Sequence, residues 1–297
     1  MAASKQSMFA VASCGLAGIF ILGLLCVNSG GFPFRFDSRV LECENARQDH
    51  SFIQEMTADQ IRSGAMLRIG AIEPGLAPAV FVWGDSHAMA ALPAIDALLT
   101  EKGIAGRAAT HSGWPPLVEW FKSEYWYKNE QSVDYNDAVL EYLRKTQIRD
   151  VILIASWTSY QDGPSKYPES FYDSLTMTVK RLQAIGCRPW ILLSVPVHKC
   201  DVPRALSRSV RFYGDVTRFC GRPEVESDGM NPAVIAELRT MNVRILDPKP
   251  AFLDSTGRYY LMESESIVLY RDYNHLTTKG SIAVLLPFLR SSWNLDE

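Results

Sequence analysis

What the chain lacks narrows its function first. It has no run of lysine or arginine, and 33 acidic against 30 basic residues leave a formal net charge of -3, so the electrostatic footprint of a nucleic-acid binder is absent. No internal repeat is present, which sets aside solenoids and propellers. No C-x-x-C pair occurs and the five histidines are not spaced to complete a zinc site, so no metal is expected, and no organic cofactor is called for. Extensive disorder is excluded by composition: 47% of the 297 residues are hydrophobic, enough to bury the core of one large domain or two small ones.

One long apolar run is present. Met8 to Val27 carries no charge and is long enough to cross a bilayer as a helix. The competing reading is a cleaved signal peptide, against which stand the length of the run and the lack of a small-x-small site after it. Orientation is left open by the flanking charges, with Lys5 on one side and Arg35, Arg39 and Arg47 on the other. Gly30-Gly31-Phe32-Pro33-Phe34-Arg35-Phe36 ends the helix, and its aromatics and arginine suit a membrane interface. The expected organisation is a transmembrane helix or signal anchor over 1–29, a linker and N-terminal extension over 30–74, and a catalytic domain over 75–297. Outside the apolar run stand Cys43, Cys187, Cys200 and Cys220, an even number suited to two disulfides in an oxidising compartment. Buried free thiols are the alternative. A Cys200 to Cys220 bond would close the loop between them.

Beyond residue 75, apolar runs alternate with helical patterns. Strands are expected at 79–83, 104–110, 150–155, 189–195 and 243–247, with helices at 88–99, 131–147, 168–185, 232–241 and 281–289. This alternation calls for an α/β fold with a parallel sheet covered by helices on both faces. Upstream, Thr57-Ala58-Asp59-Gln60 has the form of a capping box opening a short helix that ends near Gly70. Pro93 suggests a kink in the helix it interrupts.

Ala79-Val80-Phe81-Val82-Trp83-Gly84-Asp85-Ser86-His87 reads as strand, sharp turn and helix start, with Ser86 at the turn. A serine there stands at the carboxyl end of a core strand, where a helix N-terminus favours developing negative charge. A plain helix cap is the alternative. Near the far end, Asp272 precedes His275 by three residues in a loop, a spacing that lets the carboxylate fold back onto the imidazole and hold one tautomer. The order of elements brings both segments to the same sheet edge, giving a nucleophile, a base and its orienter. The α/β-hydrolase elbow fits less well, because its G-x-S-x-G pattern meets Ala88 in the last position.

Gly84-Asp85-Ser86 with Asp272-x-x-His275 resembles the first and last blocks of the SGNH (GDSL-like) hydrolase superfamily. More narrowly, Trp83-Gly84-Asp85-Ser86-His87, Gly113-Trp114-Pro115-Pro116-Leu117, Ala155-Ser156-Trp157 and Asp272-Tyr273-Asn274-His275-Leu276 resemble the SGNH domain carried by acyltransferase-3 membrane proteins. The resemblance covers about residues 75 to 292 and implies a flavodoxin-like three-layer sandwich with a five-stranded parallel sheet, preceded by one transmembrane helix. It implies O-acylation, most often O-acetylation, of a cell-surface polysaccharide or lipopolysaccharide by a single-pass protein of the bacterial inner membrane, its catalytic domain in the periplasm. The partners implied are an acyl donor, a glycan acceptor and a separate integral-membrane acyltransferase. Ser86 would be the nucleophile, His275 the acid and base, and Asp272 its orienter. The family's usual Gly-x-Asn-Asp block reads Ala155-Ser156-Trp157-Thr158 here, which leaves backbone N–H groups of Ser86 and Gly113 as the oxyanion donors. Asp85, His87, Trp114 and Trp157 are candidate substrate contacts. A carbohydrate O-acetyl esterase, or a glycan-binding module using Trp114, Trp120, Tyr125, Trp126, Tyr127 and Trp157 as stacking surfaces, are the alternatives.

Overall fold

Strands buried on both faces need a layer of helices on each side, and the computed structural model, which describes residues 5–120, 130–161, 168–221 and 230–295, shows that arrangement. In order, the strands of the main sheet are β1 (Leu67–Gly70), β2 (Val80–Gly84), β3 (Ala105–Thr110), β4 (Asp150–Ile154), β5 (Arg188–Leu192) and β6 (Arg244–Leu246), arranged β1-β3-β2-β4-β5-β6. β2 to β6 are mutually parallel, as the alternation predicted, while β1 adds antiparallel to the free side of β3. The chain starts the parallel sheet at β2, goes to β3 on one side and then to β4 on the other. The switch point therefore falls at the end of β2, where an open α/β sheet leaves a crevice.

The helices are α1 (Lys5–Asn28), α2 (Ser38–Arg47), α3 (Ala58–Arg62), α4 (Ser86–Glu101), α5 (Glu130–Thr146), α6 (Trp157–Gln161), α7 (Pro168–Ala184), α8 (Val202–Arg211), α9 (Thr217–Cys220) and α10 (Pro232–Thr240). A final helical stretch runs from α11 (Thr278–Gly280) through a π-helical turn into α12 (Leu286–Ser292). One core combines Val80, Val82 and Ile152 from the sheet with Leu92 and Ile95 of α4, Leu206 of α8 and Leu289 of α12. The other combines Phe81, Trp83 and Leu153 with Val139 of α5, Leu175 of α7 and Leu238 of α10. α4 continues unbroken through Pro93, so the expected kink does not end it. Beside the proline, the N–H of Ala94 donates to Oγ of Ser281 at 3.2 Å.

The predicted Thr57 capping box is present, with Gln60 N donating to Thr57 Oγ1 at 3.3 Å and Thr57 N to Gln60 Oε1 at 2.9 Å. Its helix, however, stops at Arg62, because Gly64 takes a left-handed conformation (φ 75°) and the following residues pair with β3. The segment from α2 to β1 also contributes to both cores: Cys43 and Ile69 to one, Ile61 and Met66 to the other. Of the four candidate cysteines, Cys200 and Cys220 are joined, while Cys43 and Cys187 are buried free thiols in opposite cores. The sheet between them prevents a second disulfide. α1 is an apolar helix long enough to cross a membrane, and none of its most apolar window is buried.

The disulfide lies beside the segment that holds residues 272 and 273: His198 N donates to the Tyr273 carbonyl at 2.8 Å and Val202 N to that of Asp272 at 3.1 Å. Replacing Cys200 and Cys220 together by serine should therefore lower stability by about 2–4 kcal/mol. The midpoint of urea unfolding reads this, and a thiol reductant should reproduce the shift in the unmodified chain while leaving the double variant unchanged.

Candidate active site

Ser86 occupies the first turn of α4 because its neighbours leave no other course for the chain. At Gly84 a Cβ would meet the carbonyl oxygen of Ile154 at 1.8 Å and Cβ of Ala88 at 2.8 Å, so only glycine lets β2, β4 and the incoming helix come this close. Asp85 then caps α4, its Oδ1 accepting from His87 N at 2.7 Å. Its other oxygen accepts from Ser156 N at 3.0 Å and from the Tyr160 hydroxyl at 2.7 Å. Asp85 is 1% exposed with both oxygens engaged, so it braces the turn and does not contact substrate.

Asp272 and His275 lie on a tight turn in which Arg271 N donates to the His275 carbonyl at 2.9 Å and Tyr270 pairs with Leu276. Oδ1 of Asp272 accepts from the backbone N–H groups of Asn274 (2.9 Å) and His275 (2.8 Å), which closes the turn on itself. Its Oδ2 lies 2.7 Å from Nδ1 of His275, and Nε2 of that imidazole lies 2.8 Å from Oγ of Ser86. The three predicted residues thus form one chain of hydrogen bonds between segments 189 positions apart. Burial would raise the Asp272 pKa, but the hydrogen bond and charge of His275 and the two backbone donors more than offset it and bring it down to about 2. The carboxylate is therefore charged at neutral pH.

His87 sits beside this chain, its ring centroid 4.7 Å from that of His275. Burial pushes its pKa down to about 4, against the attraction of Asp85 and aided by repulsion from His275. A neutral His87 places no second cation beside His275, where an imidazolium at that distance would oppose protonation of its neighbour.

Other predicted contacts fare differently. Trp157 is buried and donates its indole N–H to the Leu192 carbonyl at 2.8 Å, so it supports the end of β5 and is not a substrate contact. Trp114 and Trp120 are also buried, Trp114 stacked on His111 with ring centroids 3.3 Å apart. None of these three tryptophans offers a free face to a sugar, and Tyr125, Trp126 and Tyr127 lie outside the described residues. Gly113 is exposed with φ 73°, on a loop whose His111 N donates to the Gly84 carbonyl at 3.1 Å. The amides of Gly113 and Ser86 donate to no acceptor among the described residues.

The sequence reading missed three features. Tyr160 completes the Asp85 clamp. Asp49, from the extension, accepts from Thr278 N (2.6 Å) and Thr278 Oγ1 (2.9 Å) just past the 272–275 turn, and Arg271 donates to the Asp49 carbonyl (3.3 Å) beside His50. Tyr273 is half exposed between Asp272 and Asn274. The first two are contacts across large sequence separations and leave no local signal. Tyr273 was visible as an aromatic inside the motif.

A doubly wound sheet with a serine at its switch point and a histidine and aspartate on a late loop defines the SGNH-type fold, a scaffold of acyl hydrolases and acyl transferases. The chain belongs to the family of SGNH domains fused to AT3 (acyltransferase-3) domains, whose profile matches residues 43–289. Among solved structures, the periplasmic domain of a lipopolysaccharide acetyltransferase from Salmonella ser. Paratyphi A superposes with a TM-score of 0.57 at 17% identity, over 86% of this chain and 95% of that one. A candidate acylhydrolase from Bacteroides fragilis gives 0.43 at 10% identity, over 80% and 97%. A GDSL-like lipase from Bacteroides thetaiotaomicron gives 0.41 at 8% identity, over 71% and 85%. No curated protein matches in sequence.

The buried imidazole carries a pH signature. Unfolded, His87 takes a proton near its ordinary 6.5; folded, not until about 4. Between those values the unfolded state binds more protons, so stability rises with pH across the window and is lost on acidification through it. Asp272, depressed from 3.8 to about 2, gives stability that is present above pH 3.8 and lost as pH falls through 2, so its slope lies below the His87 window. His87→Gln should flatten the stability profile between pH 6.5 and 4 by on the order of 1–3 kcal/mol, measured by urea unfolding at a series of pH values. A profile with the slope of the unmodified protein would show that His87 is not the neutral group.

Proposed function

We propose that the chain is a membrane-anchored O-acyltransferase that carries an acyl group, most simply acetyl, on Ser86 and delivers it to a sugar hydroxyl of a cell-surface polysaccharide or lipopolysaccharide. The observation that carries the reading is the continuous hydrogen-bond chain from Ser86 Oγ through His275 to Asp272. In the first half-reaction His275 Nε2 takes the hydroxyl proton as Ser86 Oγ bonds to the acyl carbon. Asp272 stabilises the imidazolium through Nδ1. The tetrahedral oxyanion lies at the N-terminus of α4, where the Ser86 and Gly113 amides are its donors. Collapse breaks the bond to the donor's leaving group, which departs with the proton from His275 and leaves an ester on Ser86. In the second half the acceptor hydroxyl gives its proton to His275 and attacks that ester, and Ser86 regains its hydrogen.

Transfer is favoured over hydrolysis by the family's AT3 fusion context and by the acetyltransferase named for the structural neighbour. The same context supports a separate membrane acyltransferase as acyl donor. α1 supplies the membrane anchor, and the Cys200–Cys220 disulfide supports a periplasmic location for the catalytic domain.

A fluorophosphonate probe should label the unmodified chain and not Ser86→Ala, and Asp272→Asn should slow turnover of an aryl acetate by about 10³–10⁴-fold. Equal labelling of Ser86→Ala would remove the nucleophile. With a glycan acceptor present, acetyl should appear on sugar at the expense of free acetate; acetate release indifferent to every acceptor would establish an esterase in place of a transferase.

Tyr273, exposed between the catalytic aspartate and histidine, suits the face of an acceptor sugar. Tyr273→Ala should raise KM for the acceptor several-fold while leaving aryl acetate hydrolysis unchanged.

A further inference from the structure

α8 carries a pattern that the chemistry at Ser86 does not use. Its inner side buries Val202, Ala205 and Leu206, while its exposed side presents Arg204, Arg208 and Arg211, spaced four and three residues apart and therefore aligned in one stripe. Arg218 of α9 is exposed as well. Among the described residues none of these four guanidinium groups forms an ion pair, although acidic groups lie close in sequence. Asp201 pairs with Arg47 and caps α8, Asp215 accepts from Thr217 N just ahead of α9, and Asp37 caps α2. No carboxylate among the described residues competes with an external anion for these arginines.

Aromatics continue the stripe. Phe212 is 61% exposed and Tyr213 is 99% exposed, the latter held in a left-handed conformation (φ 49°) that a tyrosine adopts only at a cost. This end of α8 meets the linker from α1: the Arg211 guanidinium lies 5.4 Å from the centre of the Phe36 ring, and Arg35 covers the same ring at 4.7 Å. Phe34, in that linker, is 83% exposed. Cationic side chains and outward aromatics are thus joined to the segment that leaves the apolar helix by only a few residues. That combination suits the headgroup layer of a bilayer, where aromatics settle at the interface and arginines meet lipid phosphates.

We propose that the C-terminal half of α8 and residues 212–218 form a docking surface for an anionic phospholipid bilayer, the one into which α1 inserts. The proposal rests on the membrane-anchor reading of α1 and is independent of the chemistry at Ser86. Its consequence is a fixed standoff for the catalytic site. The other end of α8 is bonded through Val202 N to the Asp272 carbonyl, and ten residues of helix span about 15 Å. The catalytic turn would be held within about that distance of the headgroups, instead of swinging freely on the linker.

The test uses the full chain in two kinds of nanodisc, one of phosphatidylcholine alone and one with roughly a third phosphatidylglycerol, at low salt. Hydrogen exchange is followed at residues 206–219, with β4 as internal reference. Exchange there should be about tenfold slower in the anionic discs, with the difference collapsing at high salt. Replacing Arg208, Arg211 and Arg218 together by glutamine should remove it, since each arginine contributes roughly a fivefold preference for an anionic surface. Fluorophosphonate labelling and retention by the discs should not change in that variant. Equal exchange in both discs, a lipid difference that survives the triple substitution, or protection only after a membrane protein partner is added would each overturn the proposal. A chain not retained by either disc would instead remove the anchor, and the docking surface with it.

Discussion

The sheet edge that carries Ser86 depends on the buried side chain of Asp85. Three otherwise separate elements end there: the first turn of α4 through His87 N, the exit of β4 through Ser156 N, and α6 through the Tyr160 hydroxyl. A buried carboxyl group is expensive unless its oxygens are satisfied, and these three donors satisfy both of them. The geometry that results leaves the neighbouring Ser86 on the outer face of the turn. Gly84 sets the same constraint from the strand side, since any side chain there would push β2 away from β4. The serine's position is therefore fixed by packing and hydrogen bonding in the sheet, with no help required from substrate.

The electrostatics divide the histidines by role. His275 has a carboxylate at one nitrogen and a hydroxyl at the other, so it can gain and lose a proton without moving. His87 is kept neutral by burial. The difference arises from which loop each occupies. His275 rides a turn whose aspartate closes its own backbone, while His87 points into the protein between the first turn of α4 and the ends of β4 and β5.

Local patterns made the parallel strands and the meeting of Ser86, His275 and Asp272 readable in sequence. Each parallel strand is an apolar run between turn signals, and Asp272 and His275 sit close enough for their pairing to be inferred from spacing. The antiparallel β1 escaped because it is short and only half buried along its length, so its pairing depends on β3 and not on its own pattern. The tryptophans stayed ambiguous for a related reason. Trp114, Trp120 and Trp157 look alike in sequence to exposed stacking residues, and only their neighbours reveal them as core. Cysteine count suggested two disulfides, but the sheet separates Cys43 from Cys187, a relationship that only topology contains.

The altered block after β4 links this architecture to the proposed transfer chemistry. Where related enzymes place an asparagine that binds the oxyanion, this chain has Trp157, whose indole N–H is already committed to the Leu192 carbonyl. In the proposed mechanism the oxyanion has backbone donors only, and the absence of one side-chain donor would slow acyl transfer to any acceptor by on the order of a hundredfold or more. For an esterase that is a plain loss. For an acyl carrier it lengthens the life of the Ser86 ester against water, which brings no binding energy of its own. A glycan acceptor does bring binding energy, and held against the catalytic turn it recovers the lost rate through positioning. On this reading the weaker oxyanion hole works as a selectivity device, and discrimination between sugar and water passes to the groups that hold the sugar.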